Sequence, residues 1–310
     1  MTAAYPFLCA TPPQAPAALL DRARSVRPPR VALVNAGAEN PLNGIREAMD
    51  EGLAEPILIG DTAKIEATAQ AIEWDISGVR IIHAPRDMAG PEAARLVREG
   101  EADAIMKGQI HTSTFLKQLL PSRAGLREKG GRCGHVFHIT APGSDRPLFL
   151  TDAAMNVDPD VETRKACLAH AVGLAQLLGN ARPKAGILSP TEDLVETVPN
   201  TIEARQIETW AKEALPHAVV QGPMAMDLIL SAEAAQVKGF ASEVAGDADI
   251  ILTPNITTGN AVFKIMAFGM GCCCAGVVLG LKVPLLLTSR AQEAPSRIAS
   301  AALGAIVAAR

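Results

Sequence analysis

The sequence has few aromatic residues: seven Phe, two Trp and one Tyr, or 3% of 310 residues. A platform that stacks nucleic-acid bases needs such rings at intervals. Positive charge is not in excess either. Lys and Arg number 29 against 33 Asp and Glu, the formal net charge is −4, and no basic run occurs. A polyanion would find no electrostatic footprint on such a chain. Both absences exclude nucleic acid as a partner.

Cysteine is present without a framework. Cys9, Cys133, Cys167 and the run Cys272, Cys273, Cys274 form no CxxC pair and no spaced set, and adjacent cysteines do not readily bridge one another. A reduced compartment suits them. The triple run lies between "KIMAFGMG" and "AGVVLG", where small apolar residues are wanted and a thiol serves as one. A basic stretch followed by an apolar core is absent from the N-terminus, so no secretory leader is expected and a cytoplasmic location is. The longest uncharged run, residues 265–281, approaches membrane-spanning length. Glycines at 269, 271, 276 and 280 divide it into a helix end, a turn and a short strand, so no membrane contact is expected. There is also no G-x-G-x-x-G unit, no Walker A lysine motif and no G-x-S-x-G elbow. Carboxylates do not gather in the spacing of a metal site, and none is expected.

What is present is alternation. "RVALVNA" leads to "NPLNGIREAMDEGL", where Asn40 and Pro41 suit the cap and first position of a helix. "EPILIGD", "VRIIHA" and "ADAIMKG" are each followed by a helical pattern. Strands and helices at this spacing predict parallel βαβ units. A Gly-rich loop, "PSRAGLREKGGRCG", interrupts the pattern, and "HVFHIT" and "PLFLTDA" then follow with a connection short enough for antiparallel strands. A second α/β series runs on to "ADIILTPN", and "VPLLLTS" precedes a last helix. The expected fold class is α/β with two domains. Residues 1–142 plus 284–310 form the first and 143–283 the second, leaving a cleft between them.

In open α/β sheets ligands bind beyond the carboxyl ends of strands. Those positions carry Lys107, Gly108, Gln109, His111, Thr112 and Ser113 after "AIMK", and Asp152 and Asn156 after "LFLT". Ser189, Thr191 and Glu192 follow "GILSP", and Gln221 and Asp227 belong to the next strand and turn. Asn255, Thr257, Thr258, Gly259 and Asn260 follow "IILTP", and Ser289 and Arg290 follow "LLLT". Hydroxyls, amides and a guanidinium fork are the equipment for holding phosphate. The turn "TPNITTGN" allows two readings: a plain helix cap, or an anion site built on a helix N-terminus.

Four segments in order, "AIMKGQIHTSTFLKQLL", "PLFLTDAAMNVDPD", "KGFASEVAGDADIILTPNITTGNAVFK" and "VPLLLTSRA", resemble the phosphate acetyl/butyryltransferase family, most nearly its phosphate butyryltransferase branch. The resemblance runs from about residue 30 to the end. It implies the reaction acyl-CoA + phosphate ⇌ acyl phosphate + CoA, on acetyl- or butyryl-CoA, with coenzyme A as substrate or product and no cofactor. It also implies two α/β domains of the isocitrate/isopropylmalate dehydrogenase-like fold, an active site in the cleft and a homodimer. The additional hydratase-like domain of fused relatives is not expected here.

By the same resemblance Ser289 and Arg290 bind the phosphoryl group. Thr258, Gly259 and Asn260 face the same cleft, with Lys107, Thr112 and Ser113 as the opposite wall. The acetyltransferase branch carries an aspartate six residues after the arginine. Ser296 stands there in this chain, which leaves the general base open between His111 and Glu293. Two alternatives belong to other classes: a metal- and NAD-dependent decarboxylating dehydrogenase of the same fold, and a non-catalytic sensor of acyl-CoA or acyl phosphate.

Overall fold

The computed structural model describes residues 5–287 and 294–310. Among them the strands are β1 (Arg30–Val34), β2 (Glu55–Gly60), β3 (Arg80–His83), β4 (Ala104–Lys107), β5 (Gly134–Thr140), β6 (Leu148–Thr151), β7 (Lys184–Leu188), β8 (Val219–Met224), β9 (Ile250–Leu252), β10 (Cys273–Leu279) and β11 (Leu285–Leu286). The α-helices are α1 (Ala17–Arg24), α2 (Glu39–Asp50), α3 (Thr62–Ala71), α4 (Ala89–Arg98), α5 (Thr112–Leu119), α6 (Val161–Leu177), α7 (Pro199–Ala214), α8 (Met226–Leu230), α9 (Ala232–Val237), α10 (Ile256–Lys264) and α11 (Ala294–Ala308). No helix among the described residues is long and apolar enough to cross a membrane.

The chain divides by its contacts into two units. One, the β1 unit, comprises Pro13–Gly131 and the described residues of Cys273–Arg310. Its strands are ordered β3-β2-β1-β4-β11-β10, parallel except for the antiparallel β10–β11 pair. Val31, Ala32, Leu33 and Val34 of β1 and all four residues of β4 are buried. Continuous burial of this kind marks strands covered on both faces. The strands after β1 run outward to β2 and β3, whereas β4 lies on its other side, so the ends of β1 and β4 form a topological switch point.

The other, the β6 unit, comprises Arg132–Cys272 and the described residues up to Pro12. Its order is β5-β6-β9-β7-β8, with β5 antiparallel to β6 and the remaining neighbours parallel. Because β9 slots between β6 and β7, the turns that follow these three strands emerge side by side at one edge.

These divisions fall about ten residues before the expected borders at 142/143 and 283/284. The reason is pairing. β5 matches β6 from Val136↔Thr151 to Ile139↔Leu148 and so stays with the strand that follows it. At the second border β10 pairs with β11 through Val278↔Leu285 and packs on α11. Residues 5–12, expected in the first domain, group with the β6 unit instead, where the Cys9 amide donates to the Phe268 carbonyl at 2.8 Å.

One local expectation also changes. Helix α2 begins at Glu39 after Ala38, so Pro41 sits third in the helix rather than first. It is tolerated there because the opening turn has no intrahelical use for that N–H. Ser296 is buried, and its hydroxyl accepts the Cys274 amide at 3.2 Å. Ser300, one turn on, accepts the Gly276 amide at 3.0 Å. β11 is two residues long, so serines of α11 take over the edge of β10 where its partner strand ends. Cys272, Cys273 and Cys274 are all buried thiols at this point, as the apolar surroundings of the run predict.

Candidate functional site

In the β6 unit the turn after β9 is held by its own residues. Asn255 is extended (φ −158°, ψ 170°), and its Oδ1 accepts the Thr258 amide at 3.0 Å. The Ile256 amide donates to the Val157 carbonyl at 3.1 Å and the Gly259 amide to the Asn255 carbonyl at 3.1 Å. The cap reading of this turn is therefore correct. It also limits the other reading, since these backbone donors are already engaged. What the turn offers a ligand is mainly side chains: Thr257 and Asn260 are exposed and Thr258 is half-buried.

Gly259 is where this turn meets the one after β6. A Cβ there would lie 2.6 Å from the Asp152 carbonyl oxygen and 2.8 Å from both Ala153 Cα and Thr253 Oγ1. Thr253 reinforces the contact, its hydroxyl donating to the Asp152 carbonyl at 2.8 Å and its amide to Thr151 at 2.7 Å. The Asn260 side-chain amide reaches the Ala153 carbonyl at 3.4 Å. The Thr151–Asp152 peptide bond is cis.

Beneath this junction lies a set of buried polar groups. Asp152 is 3% exposed and Asn156 donates to it at 2.6 Å. The same Asn156 amide reaches the Cys133 carbonyl at 3.0 Å and the Cys167 sulfur at 3.7 Å. Burial, aided by the Asp152 charge, pushes the Cys167 thiol up to about 12, so it is not a nucleophile at neutral pH. Burial lowers His135 to about 4, against the opposing pull of Asp152, and lowers His138 to about 4 as well. Both rings are neutral at pH 7, and neither Nδ1 has a hydrogen-bond partner among the described residues.

In the β1 unit the end of β4 is arranged differently. Lys107 is buried, and its ammonium donates to the Gly108 and Ile110 carbonyls at 3.3 Å each. Gly108 passes against the end of β1, where a Cβ would lie 2.4 Å from the Val34 carbonyl oxygen and 2.5 Å from that of Asn35. The amides of Gly108 and Gln109 donate to these same two carbonyls at 2.9 Å. His111 then precedes α5 as its cap residue without using its side chain, and the first helical bond runs from the Phe115 amide to the His111 carbonyl. His111, Thr112, Ser113 and Thr114 are exposed. The opening amides of a helix have no intrahelical partner, and among the described residues no side chain caps them here.

The sequence-predicted residues thus fall into two groups. Thr258, Gly259 and Asn260 share one turn; Lys107, His111, Thr112 and Ser113 share another. Ser289, Arg290 and Glu293 lie outside the described residues; the strand before them in sequence, β11, runs parallel to and beside β4. Asp152 and Asn156 stand out in the sequence only as strand-end residues, with no role of their own. Their signal was a lone carboxylate directly after an apolar strand. Among the described residues, no group of three or more His, Cys, Asp or Glu could hold a metal ion.

Comparison with known proteins gives a consistent result. The family model for phosphate acetyl/butaryl transferase matches residues 86–305. A phosphate acetyltransferase of Rhizobium meliloti is 36% identical over 294 residues, covering 94% of this chain and 93% of that protein. A phosphate butyryltransferase of Clostridium acetobutylicum is 35% identical over 292 residues, covering 94% and 97%. A solved branched-chain phosphotransacylase from Enterococcus faecalis V583 matches with a TM-score of 0.77 at 28% identity, over 90% of this chain and 98% of its own. Relatives of both activities match to the same degree, and the mixed α/β fold agrees. This chain belongs to the phosphate acetyl/butyryltransferase family.

Proposed function

We propose that the protein transfers a short acyl group between coenzyme A and inorganic phosphate: acyl-CoA + phosphate ⇌ acyl phosphate + CoA. The observation that carries this reading is the pair of polar strand-to-helix turns, at residues 107–113 and 253–260, in a chain of this family. A phosphate oxygen attacks the thioester carbonyl, the C–O bond forms, the C–S bond breaks, and CoA leaves as thiolate or thiol. Two anionic substrates must be aligned for this. Arg290 supplies a planar fork for phosphate, Ser289 a hydroxyl, and the uncapped opening of α5, with Thr112 and Ser113, a set of N–H and O–H donors. Donors aimed at the tetrahedral oxyanion contribute on the order of 10²–10³ in rate each. Thr258 and Asn260 add side-chain donors, with Gly259 setting their turn. Lys107, bent onto the Gly108 and Ile110 carbonyls, holds the 108–110 loop in shape and places positive charge beneath it.

His111 and Glu293 are the two candidates for the base that serves the CoA thiol in the reverse direction; its free pKa is about 8.5. Ser296 does not take that part, since its hydroxyl is spent on the Cys274 amide. The isocitrate/isopropylmalate dehydrogenase-like architecture with an active-site cleft, the homodimer, the cytoplasmic location and activity without metal or nicotinamide belong to the same proposal.

The test is thiol release from acyl-CoAs of two to six carbons, with and without phosphate, and with EDTA. Release that depends on phosphate and survives EDTA is expected. No release above background leaves the sensor reading; loss in EDTA restored by magnesium or manganese revives the dehydrogenase reading. Arg290→Lys should lose at least ~10-fold in turnover, equal to ~1.4 kcal/mol, because an ammonium cannot reproduce a bidentate fork. Arg290→Ala should lose on the order of 10²-fold. A fully active Arg290→Lys would move the phosphate site elsewhere.

A further inference from the structure

Asp152 is a buried carboxylate that takes four of its five bonds from one loop and the fifth from β5. Its Oδ1 accepts the amides of Ala154 and Met155, both at 2.9 Å. Its Oδ2 accepts the amides of His135 at 3.2 Å and Asn156 at 3.3 Å, and the Asn156 side chain at 2.6 Å. All five donors are neutral N–H groups. A carboxylate accepts at two oxygens with about four lone-pair sites, so this one is saturated. Its own backbone faces the other way: the Asp152 carbonyl accepts the Thr253 hydroxyl, and Gly259 packs directly against it. One residue therefore fixes the 152–156 turn with its side chain and supports the turn of Thr258, Gly259 and Asn260 with its carbonyl.

We propose that Asp152 is a positioning residue for the acyl-transfer site, setting the place of the 258–260 turn through the Asp152–Thr253–Gly259 junction. The role rests on the functional reading above, and the two can be tested apart. Burying a full carboxylate where every partner is a neutral amide is costly unless all its acceptor sites are satisfied. An apolar residue would serve a plain loop more simply. The carboxylate does what no apolar residue and no amide can: it accepts on both oxygens, and so gathers donors from β5 and from three successive residues of the turn. Asparagine in its place would offer an oxygen to one set of donors and turn an NH₂ toward the other, so the turn would have to shift. A turn misplaced by about 1 Å costs on the order of 10²-fold in an oriented reaction.

The experiment compares wild type, Asp152→Asn and Thr253→Val. Folding is followed by urea denaturation, kcat and KM for phosphate and for butyryl-CoA are measured, and amide exchange is read in peptides covering 153–157 and 255–264. Asp152→Asn is expected to lower kcat by at least ~10-fold per folded molecule, with KM for butyryl-CoA within about three-fold. Exchange should rise in both peptides. Thr253→Val, which leaves the carboxylate network intact, is expected to raise exchange at 255–264 alone and to lower kcat less. A structural role alone would change the urea midpoint and leave kcat per folded molecule near wild type, which would overturn the proposal. So would faster exchange at 153–157 with no change at 255–264. Should Asp152→Asn fail to fold, Thr253→Val decides by the same two readouts, and wild-type kcat and exchange in it would refute the junction. If wild type itself releases no thiol, the functional reading fails, and the exchange data still confirm or refute the coupling.

Discussion

Two helices of this protein begin directly after buried parallel strands, and they begin in opposite ways. At α10 the opening is closed: Asn255 caps it, Val157 takes the Ile256 amide, and the Asp152 carbonyl backs the turn. At α5 the opening is left exposed: His111 spends no side chain on it, and Thr112, Ser113 and Thr114 face solvent. Both arise from the same local pattern, an apolar strand followed by hydroxyl-rich residues. The difference shows that such a pattern marks a strand end without saying which donors stay available. A helix end closed in this way contributes mainly side chains to a ligand, whereas an uncapped one contributes its backbone amides and the dipole as well. Under the proposed function the two turns have unequal tasks, α5 offering donors to an anion and α10 presenting Thr258 and Asn260.

The largest effect that should separate the two regions is their response to acid. β5 places His135 and His138 in the core of the β6 unit, whereas His83 and His111 of the β1 unit are exposed. Burial lowers both core histidines from 6.5 to about 4. Unfolded, they protonate near 6.5; folded, they resist until about 4. Stability is thus intact above ~6.5 and falls as pH drops through that window, by at most about 3 kcal/mol for each ring. Urea midpoints measured between pH 7.5 and 4.5 should show the fall, and His138→Leu should flatten it. Limited proteolysis at pH 5 should cut first within residues 132–272. Equal cleavage of both units, or midpoints that ignore pH, would contradict this account of β5.

A smaller effect tests what the two turns share. Each depends on one glycine pressed against a backbone carbonyl: Gly108 on Val34 and Asn35, Gly259 on Asp152. Neither neighbour is a flexible side chain, so an added methyl must move main chain. Overpacking of this kind costs about 1–3 kcal/mol. Gly108→Ala and Gly259→Ala should both lose on the order of 10-fold or more in turnover through displacement of the turn. The comparison sharpens in the binding constants. Gly108→Ala should weaken phosphate more, since α5 carries the open amides, and Gly259→Ala should act mainly on kcat. The reverse split would exchange the roles of the two turns.

Much of this was legible in the sequence, for a physical reason. Strands buried on both faces read as unbroken apolar runs, so β1, β4 and β9 and the polar residues behind them stand out. The short "APGSDR" link correctly announced an antiparallel pair. Membership of a unit was not legible. The border at 142/143 cut through the pair that the link itself announced, nothing local says that β10 joins α11, and both borders were therefore expected some ten residues late. Asp152 was visible only as a carboxylate after a strand, because its donors come partly from His135, seventeen positions away. Ser296 could be recognised as a departure from relatives with aspartate, but its contact with Cys274 needed the fold. For Ser289, Arg290 and Glu293 the sequence is what speaks.

The smallest predicted effect bears on the contrast most directly. Asn255 and His111 occupy the same formal position, the residue before a helix, and both have extended backbone that alanine adopts without strain. If α10 is closed by its cap, Asn255→Ala removes one side-chain hydrogen bond and leaves the Thr258 amide unmet. Losses of this type run about 0.5–2 kcal/mol. If α5 is open, His111→Ala removes no cap and should change stability by no more than about 0.5 kcal/mol. Activity should rank the other way. His111 stands beside the proposed anion site and is one of two candidates for the base, so its removal should lower turnover, most clearly in the direction that uses the CoA thiol. Asn255→Ala should keep most of its turnover per folded molecule, because Gly259 and the Asp152 carbonyl still hold the turn. Urea midpoints and forward and reverse rates on the two variants give all four numbers. A His111→Ala protein that loses 1 kcal/mol or more while keeping full activity would mean that α5 is closed by its own residue after all, and the distinction between the two turns would fall.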